Sequence, residues 1–180
     1  MAKTKEQLLN ILDQFQLDEK VVSAEPFGNG HINATLKVTN EKGEIKYVLQ
    51  RINHLIFTNV DMLQNNIHVV TTHIRKKLEE KGETDIDRKV LTFLPTKDGK
   101  KYFFDGDSYW RVCLFIPRSK SYEEVTPELS YEAGKAFGDF QTMLSDLPEG
   151  TLGETIPDFH NMEFRWRQFH EAVAANPAGR

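Results

Sequence analysis

Apolar positions repeat with helical spacing in four parts of the chain, and the longest repeat lies within residues 59–81. Its apolar residues step by three or four positions throughout: Val60, Leu63, Ile67, Val70, Ile74 and Leu78. This spacing places them on one face of an α-helix. Thr58 or Asn59 can cap the start of that helix, and Gly82 can close its end. The stretch therefore predicts one long amphipathic helix.

Three shorter stretches have the same spacing and predict three more helices. The first carries the apolar stripe Leu8, Ile11, Leu12 and Phe15. Thr4 and Gln7 precede this stripe at the spacing of a capping box, which satisfies free N–H groups at a helix start. Thr126-Pro127 opens the second stretch, which extends to about residue 147, because a capping residue followed by proline is typical of a helix start. The third is an aromatic-rich segment over residues 159–175.

The segments between these helices have the composition and alternation of β-strands. Residues 21–52 predict two successive hairpins, with a glycine-containing interruption at 26–30 and a turn at 40–43. Residues 89–117 predict a three-stranded meander with turns at 97–100 and 105–107. Antiparallel strands with one inserted helix favour an α+β fold. We expect a sheet of about five strands within residues 1–117 and a helical region over 118–180, joined by a polar break at 118–121.

Composition restricts the class of protein. Of the 180 residues, 39% are hydrophobic, which suits a folded chain. The 23 Lys and Arg against 27 Asp and Glu give a net charge of −4, which argues against nucleic acid as the main partner. The single cysteine, Cys113, excludes an intramolecular disulfide and a cysteine-based zinc cluster. No run approaches the roughly 18 apolar residues of a membrane span. We expect a soluble cytoplasmic protein that binds neither nucleic acid nor membrane.

The strongest candidate for chemistry is a glycine turn between two predicted strands, with the sequence Phe27-Gly28-Asn29-Gly30-His31-Ile32-Asn33. Backbone N–H groups can approach phosphate oxygens where glycines remove side chains. The pattern G-x-G-x-x-N precedes a strand and not a helix, which argues against a Rossmann dinucleotide site. Taken alone, the turn is better explained as an ordinary hairpin connection.

Two further features gain significance beside this turn. Arg51, on the strand after the hairpin, is a cation that can pair with phosphates, although an exposed strand arginine is the alternative. The strand end Phe115-Ile116-Pro117 directly precedes the polar break. Backbone groups there could hydrogen-bond a purine in a cleft between two lobes, because pockets favour such boundaries. The alternative for this segment is a plain strand end.

The order of glycine-turn hairpin, cationic strand, long helix, further strands, hinge and helices resembles the small lobe of the protein-kinase-like fold. Within that fold it is similar to the aminoglycoside phosphotransferase and choline kinase family. Two segments are most similar in sequence to N-acetylhexosamine 1-kinases: residues 27–33 and Tyr47-Val48-Leu49-Gln50-Arg51-Ile52-Asn53. The resemblance runs from about Val21 to the chain end. It implies a kinase-like N-terminal lobe over residues 1–117, followed by the first helices of a large lobe.

The resemblance also implies roles for individual residues. The chain would be the ATP-binding part of a phosphotransferase that transfers the γ-phosphate to a hydroxyl of a sugar or amino-alcohol substrate. The nucleotide-binding residues would be Gly28, Asn29, Gly30, His31, Ile32, Asn33, Arg51, Phe115, Ile116 and Pro117. Of these, residues 28–33 would cover the phosphates, Arg51 would pair with them, and residues 115–117 would form the adenine hinge. His31 would face the cleft.

The sequence departs from the family pattern at two places. The long helix carries one acid in residues 60–78, Asp61, at the wrong end to orient Arg51, and Gln64 offers only a neutral partner. The catalytic H-G-D loop and the acidic motif that holds Mg²⁺ do not occur. The resemblance therefore implies that the catalytic aspartate and the magnesium ligands follow Arg180, and that these 180 residues alone do not transfer phosphate.

Metal sites and a sulfatase core fit the sequence less well than a kinase-like lobe. His68 and His73 are five residues apart, a poor spacing for a metal site on one helix face. Asp105-Gly106-Asp107 is too short for a calcium loop and is better explained as a turn. The spacing from Cys113 to Arg118 does not fit a sulfatase core, so that class is excluded. A non-catalytic kinase-like module that binds nucleotide or protein remains the alternative, because it explains the missing catalytic residues without a longer chain.

Overall fold

The computed structural model describes residues 3–28, 30–122 and 124–179. Its helices are α1 (Lys5–Leu12), α2 (Val60–Glu80), α3 (Pro127–Leu144) and α4 (Met162–Ala175), with a 3₁₀ turn at Ile86–Arg88. Its strands are β1 (Val21–Pro26), β2 (Ala34–Asn40), β3 (Ile45–Ile52), β4 (Phe93–Leu94), β5 (Phe103–Phe104) and β6 (Tyr109–Leu114). All the pairings described are antiparallel and belong to one sheet. The predicted α+β class is confirmed, with six strands in place of about five.

The sheet has the order β1-β2-β3-β6-β4, and β5 also pairs with β6. The two hairpins predicted over residues 21–52 are present as β1-β2 and β2-β3. β3 then pairs with β6, so α2 and the short strands β4 and β5 are inserted in sequence between two neighbouring central strands. This arrangement puts the β1-β2 turn at one end of the sheet, next to the carboxyl end of β3.

The predicted three-stranded meander is confirmed in its second hairpin, β5-β6 with its turn at 105–107, and wrong in its first. β4 and β5 do not pair with each other: both lie along the same edge of β6, with Phe93 opposite Cys113 and Phe103 opposite Trp110. Residues 95–97 instead hydrogen-bond to the chain after α1, where Gln16 N donates to the Pro95 carbonyl at 3.0 Å. The predicted turn at 97–100 is present, with Thr96 N donating to the Lys100 carbonyl at 2.9 Å. It connects two strands that each pair with β6 and not with each other.

The two faces of the sheet are covered by different helices. Leu49 of β3 and Trp110 of β6 are buried in a core that α1 covers. Ile52 of β3 is buried against Val60 and Leu63 of α2. Successive residues of a strand point to opposite sides of a sheet. We therefore distinguish an α1 face, to which Leu49 and Trp110 point, from an α2 face, to which Ile52 points.

Side-chain caps fix where α1 and α3 begin, as the sequence predicts. The Thr4 hydroxyl accepts a hydrogen bond from Gln7 N at 3.3 Å, and Gln7 Oε1 accepts one from Thr4 N at 2.9 Å. This is the reciprocal capping box. At α3 the Thr126 hydroxyl accepts from Leu129 N at 3.3 Å, and Pro127 occupies the first turn.

The carboxyl-terminal helices pack less tightly than the sheet. Within the described residues, neither α3 nor α4 contains a buried side chain. The end of α3 is tied to α2 by Lys77, whose ammonium donates to the Met143 carbonyl at 2.8 Å and contacts Asp146 at 2.5 Å. The predicted division into residues 1–117 and 118–180 stays a prediction. None of the helices in the described part of the chain combines the length and apolarity needed to cross a membrane.

Candidate functional site

The glycine turn connects β1 to β2 at the end of the sheet. Phe27 N donates to the Thr35 carbonyl at 2.9 Å, so pairing continues one residue past β1. Gly28 then adopts φ = +79°, a conformation that side chains disfavour. A Cβ added at Gly28 would meet no atom within 4 Å, so glycine is required there by the backbone angle and not by space. Asn29 lies outside the described residues.

Arg51 lies at the carboxyl end of β3, on the α1 face. Its partners across the sheet are Ala34 in β2 and Trp110 in β6, and Trp110 belongs to the core under α1. Arg51 is half-buried, and its guanidinium makes no hydrogen bond and no ion pair within the described residues. α2 lies over the opposite face, so no described side chain of that helix orients Arg51. The one acid at the start of that helix, Asp61, instead accepts a hydrogen bond from the Tyr102 hydroxyl at 2.9 Å.

The turn and Arg51 share one cavity of about 680 Å³ on the α1 face, here called the turn cavity. Its described lining comes from the start of α1, from β1 and β2, from the turn and from two central strands: Lys3, Lys5, Leu8, Ala24, Pro26, Phe27, Gly28, Gly30, Asn33, Ala34, Thr35, Leu36, Arg51 and Trp110. This lining contains three cations and no carboxylate. A cavity of this size and charge suits a phosphorylated small molecule.

The three cations of the turn cavity differ in their partners. Lys3 pairs with Asp105 at 2.8 Å. Burial alone would raise the pKa of Asp105, but Lys3 and hydrogen bonds from Ser108 N, Trp110 Nε1 and Asp107 N lower it to about 2. Lys5, like Arg51, has no ion-pair partner among the described residues. Lys3 is therefore neutralised, while Lys5 and Arg51 leave the cavity with unmatched positive charge.

The predicted turn residues do not all reach this cavity. Gly28, Gly30 and Asn33 line it, whereas His31 and Ile32 are exposed and lie outside its described lining. Asn33 also has a structural role, because its Oδ1 accepts a hydrogen bond from Asn53 N at 2.9 Å. This bond ties the end of the turn to the chain that leaves β3. It holds the turn beside Arg51.

The predicted adenine hinge lies apart from the turn cavity. Phe115 contacts the turn through Phe27, with ring centroids 5.9 Å apart in an edge-to-face arrangement. The Ile116 carbonyl accepts from the Ser119 hydroxyl at 3.2 Å, and the Pro117 carbonyl accepts from Arg88. Residues 115–117 are thus connected to the turn cavity through one aromatic ring and do not line it. Their role as an adenine hinge stays a prediction.

The structure gives the other candidate residues of the sequence, Asp105, His73 and Cys113, local structural roles. Asp105 Oδ1 accepts from Asp107 N at 3.0 Å and from Ser108 N at 2.8 Å, which identifies residues 105–108 as a hairpin turn. His73 contacts Asp146 at 2.9 Å. No three His, Cys, Asp or Glu side chains in the described ranges are placed to hold a metal ion. Burial raises the pKa of the Cys113 thiol to about 11, so it is protonated at neutral pH and is a poor nucleophile.

Sequence reasoning missed the part of the turn cavity that α1 contributes. Lys3 and Lys5 stand at the start of α1, about 25 residues from the turn, and were assigned no role. Their position at the cavity depends on how α1 docks on the sheet. A signal was present in the pattern, because two lysines that precede an apolar stripe must lie at one end of the docked helix.

The arrangement can bind an anion with several negative charges. The guanidinium of Arg51 offers a planar fork of N–H donors, and Lys5 adds a second unpaired cation. The turn beside them leaves space for backbone approach at Gly28 and Gly30, where an added Cβ would meet nothing closer than 4.0 Å. No model of a known protein family matches the chain.

Proposed function

We propose that this chain is the nucleotide-binding part of a small-molecule phosphotransferase of the aminoglycoside phosphotransferase and choline kinase type. The activity of the complete enzyme is transfer of the ATP γ-phosphate to a hydroxyl group of a sugar, of the N-acetylhexosamine kind. This proposal combines the resemblance of residues 27–33 and 47–53 with the geometry of the turn cavity. It assigns ATP binding to these 180 residues and phosphate transfer to the longer protein.

One observation carries the proposal: the Arg51 guanidinium has no polar partner among the described residues and lines the same cavity as the glycine turn. A half-buried guanidinium without a countercharge is costly unless a ligand supplies one. Phosphate oxygens match the fork of an arginine and accept from backbone N–H groups at the same time. The cavity volume of about 680 Å³ lies within the range of nucleotide and drug-sized sites.

The residues present can be divided by what they would do for a bound nucleotide. Arg51 and Lys5 would balance the charge of the phosphate chain, and Gly28 would let the backbone approach it. Phe27 lines the cavity and its ring contacts Phe115, the first residue of the predicted hinge. When bound, ATP supplies the phosphoryl group. Because no described group of acidic side chains could hold Mg²⁺, we assign no metal ligand to this chain.

The proposal is tested by titrating ATP into the wild-type chain and into Arg51→Met by calorimetry. Charge-assisted hydrogen bonds contribute enough that we expect affinity to fall roughly tenfold or more in Arg51→Met. Arg167→Met is the matched control, because Arg167 is exposed on α4 and does not line the turn cavity. Equal ATP affinity in wild type and Arg51→Met contradicts the proposal.

Inorganic tripolyphosphate separates the two parts of the site. If the hinge region binds the base, ATP will bind more tightly than tripolyphosphate, and Phe115→Ala will reduce that difference. If ATP and tripolyphosphate bind equally, the turn cavity recognises only the phosphate chain, and the nucleotide-specific part of the proposal is rejected.

A further inference from the structure

A second arginine, Arg111 of β6, points to the α2 face, and its described side-chain contacts are to neutral groups. Its Nε and Nη2 donate to Gln50 Oε1 at 3.0 and 2.8 Å. The amide nitrogen of Gln50 donates in turn to the Thr35 hydroxyl at 3.0 Å, which fixes the direction of the amide. The guanidinium also lies over the Phe93 ring, with Cζ 5.2 Å from the centroid. These contacts orient Arg111 without balancing its charge.

The remaining nitrogen, Nη1, is buried and has no hydrogen-bond partner in the described structure. No ion pair to Arg111 occurs among the described residues. Burial lowers the pKa of Arg111, yet a guanidinium stays protonated in proteins. A buried charge with an unused donor is costly, and proteins normally satisfy it with an acid or a ligand. The structure leaves this donor without an acceptor.

Arg111 lines a second cavity, of about 560 Å³, between α2, β4 and α3, here called the inner cavity. Most of its described lining is apolar: Ile67, Val70, Ile74, Val90, Leu91, Phe93, Ala136, Phe140 and Met143. The polar lining is Asn66, Thr71, Lys89 and Arg111, so it contains two cations and no carboxylate. Lys89 is paired with Glu83 at 2.5 Å. In this described lining, which is mostly apolar, Arg111 is therefore the cation without an ion-pair partner.

A second buried side chain near Arg111, that of Gln64, also has an unused hydrogen-bond donor in the described structure. Gln64 of α2 is buried, and its Nε2 also lacks a hydrogen-bond partner in the described structure. Gln64 lines a cavity of about 430 Å³ that shares Ile67, Thr71, Leu91 and Phe93 with the inner cavity. Two buried donors without acceptors thus lie at adjoining spaces under α2. A ligand oxygen could serve as the hydrogen-bond acceptor that each of these two donors lacks in the described structure.

We propose that the inner cavity binds an organic acid, with an apolar body between α2 and α3 and a carboxylate or phosphate group that accepts from Arg111. This site is separate from the turn cavity, because Arg111 and Arg51 point to opposite faces of the sheet. The acid group supplies the acceptor and the countercharge that Arg111 lacks. The apolar body covers the aliphatic and aromatic lining, which removes that surface from water.

The probes for the test share one hexyl chain and differ in charge: hexanoate, hexyl phosphate and neutral 1-hexanol. Each is titrated into the wild-type chain and followed by amide chemical shifts. We expect at least one of the two acids to bind about tenfold or more tightly than hexanol, because a charge-assisted hydrogen bond forms only with the acid. The tighter of the two acids identifies the preferred headgroup. Equal affinity for all three probes overturns the proposal.

Two variants test Arg111 without depending on each other. Arg111→Met removes the charge and should reduce acid binding to the level of hexanol. Gln50→Glu retains Arg111 but gives it a carboxylate partner, so it should weaken acid binding to a similar extent. Undiminished acid affinity in whichever variant folds, judged by its amide spectrum, overturns the proposal.

The outcome can be distinguished from that of the proposed function. Arg51→Met should leave acid binding unchanged, and Arg111→Met should leave ATP binding unchanged. ATP should not displace the acid from the wild-type chain. Displacement by ATP would show that the inner cavity is part of the nucleotide site and would overturn a separate acid site.

Discussion

Arg51 and Arg111 stand on adjacent strands of one sheet and have opposite surroundings. Arg51 points to the α1 face, lines the turn cavity and has no polar contact among the described residues. Arg111 points to the α2 face, where Gln50 accepts two of its hydrogen bonds and Phe93 lies beneath it. Gln50 and Arg51 are consecutive residues, so a single step along β3 separates the two environments. The contacts of each guanidinium, and the cavity that it lines, therefore depend on the face of the sheet to which it points.

The sheet places one arginine guanidinium in a cavity on each of its two faces, in two different settings. On the α1 face the charge lines the turn cavity beside the glycine turn and has no polar partner among the described residues. On the α2 face the charge is oriented by Gln50 and Phe93 and lines the mostly apolar inner cavity. The first arrangement favours a polyanion such as a phosphate chain, and the second favours a single acid group on an apolar body.

The largest expected effect concerns the depth of the two faces. Leu12 is fully buried in the core under α1, and Leu12→Ala should lower the free energy of unfolding by about 2–5 kcal/mol. Ile52→Ala is the same kind of truncation on the α2 face and should cost less, because the described cluster around Ile52 holds three buried residues against nine under α1. Urea denaturation of both variants measures the difference. A larger loss in Ile52→Ala than in Leu12→Ala would reverse our assignment of the main core.

The second-largest loss of stability is expected when Arg111 loses its hydrogen bonds to Gln50. Gln50→Leu removes the acceptor of two hydrogen bonds from a charged donor and should destabilise the chain by about 1.5–3 kcal/mol. The double variant Gln50→Leu/Arg111→Met removes the unsatisfied charge as well. It should be more stable than Gln50→Leu alone, which a double-mutant cycle measures. Strictly additive losses would show that the two side chains do not interact.

Asp105 provides a pH test of the α1 face. Its pKa is about 2 in the folded chain and near 3.8 when unfolded, so its stabilising effect is present above pH 4 and is lost as the pH falls toward 2. Asp105→Asn should remove about 1–2 kcal/mol of that dependence. Unfolding is measured at pH 6 and at pH 2.5 for both proteins. An unchanged pH dependence in Asp105→Asn would contradict the ion pair with Lys3.

The smallest effect is expected at Lys5, which lines the turn cavity from an exposed position at the start of α1. Lys5→Met should weaken tripolyphosphate binding roughly twofold to fivefold, because an exposed charge contributes little. Lys76→Met, on the exposed side of α2, is the control and should have no effect. A loss at Lys5 greater than the loss at Arg51 would make the α1 lysine the main phosphate contact.

Local structure was largely predictable from the sequence, and the faces of the sheet were not. The capping box of Thr4 and Gln7 and the Thr126-Pro127 start depend on neighbouring residues, and both are present as predicted. Strand alternation also predicts that Gln50 and Arg51 point to opposite sides. It does not predict which side α1 or α2 covers, because that depends on how distant helices dock.

The errors have the same origin. The predicted β4-β5 hairpin does not form, because residues 95–97 bond to the chain around Gln14 and Gln16, some 80 positions earlier. The contact between Gln50 and Arg111 was missed because it needs the register between β3 and β6, which are separated by α2. One polar residue in each of two mostly apolar strands, Gln50 in β3 and Arg111 in β6, was the available signal. Without the strand order, no pattern indicates that the two residues face each other.

Amide chemical-shift mapping with ATP tests the central claim most directly, since it locates the bound phosphates on one face of the sheet. The account predicts the largest shifts at Gly28, Gly30, Asn33 and Arg51 and at the start of α1, with little change along α2. Tripolyphosphate should move the same amides apart from those near Phe115. Shifts concentrated at Gln50, Arg111 and α2, with the glycine turn unaffected, would place the nucleotide on the other face and contradict the account.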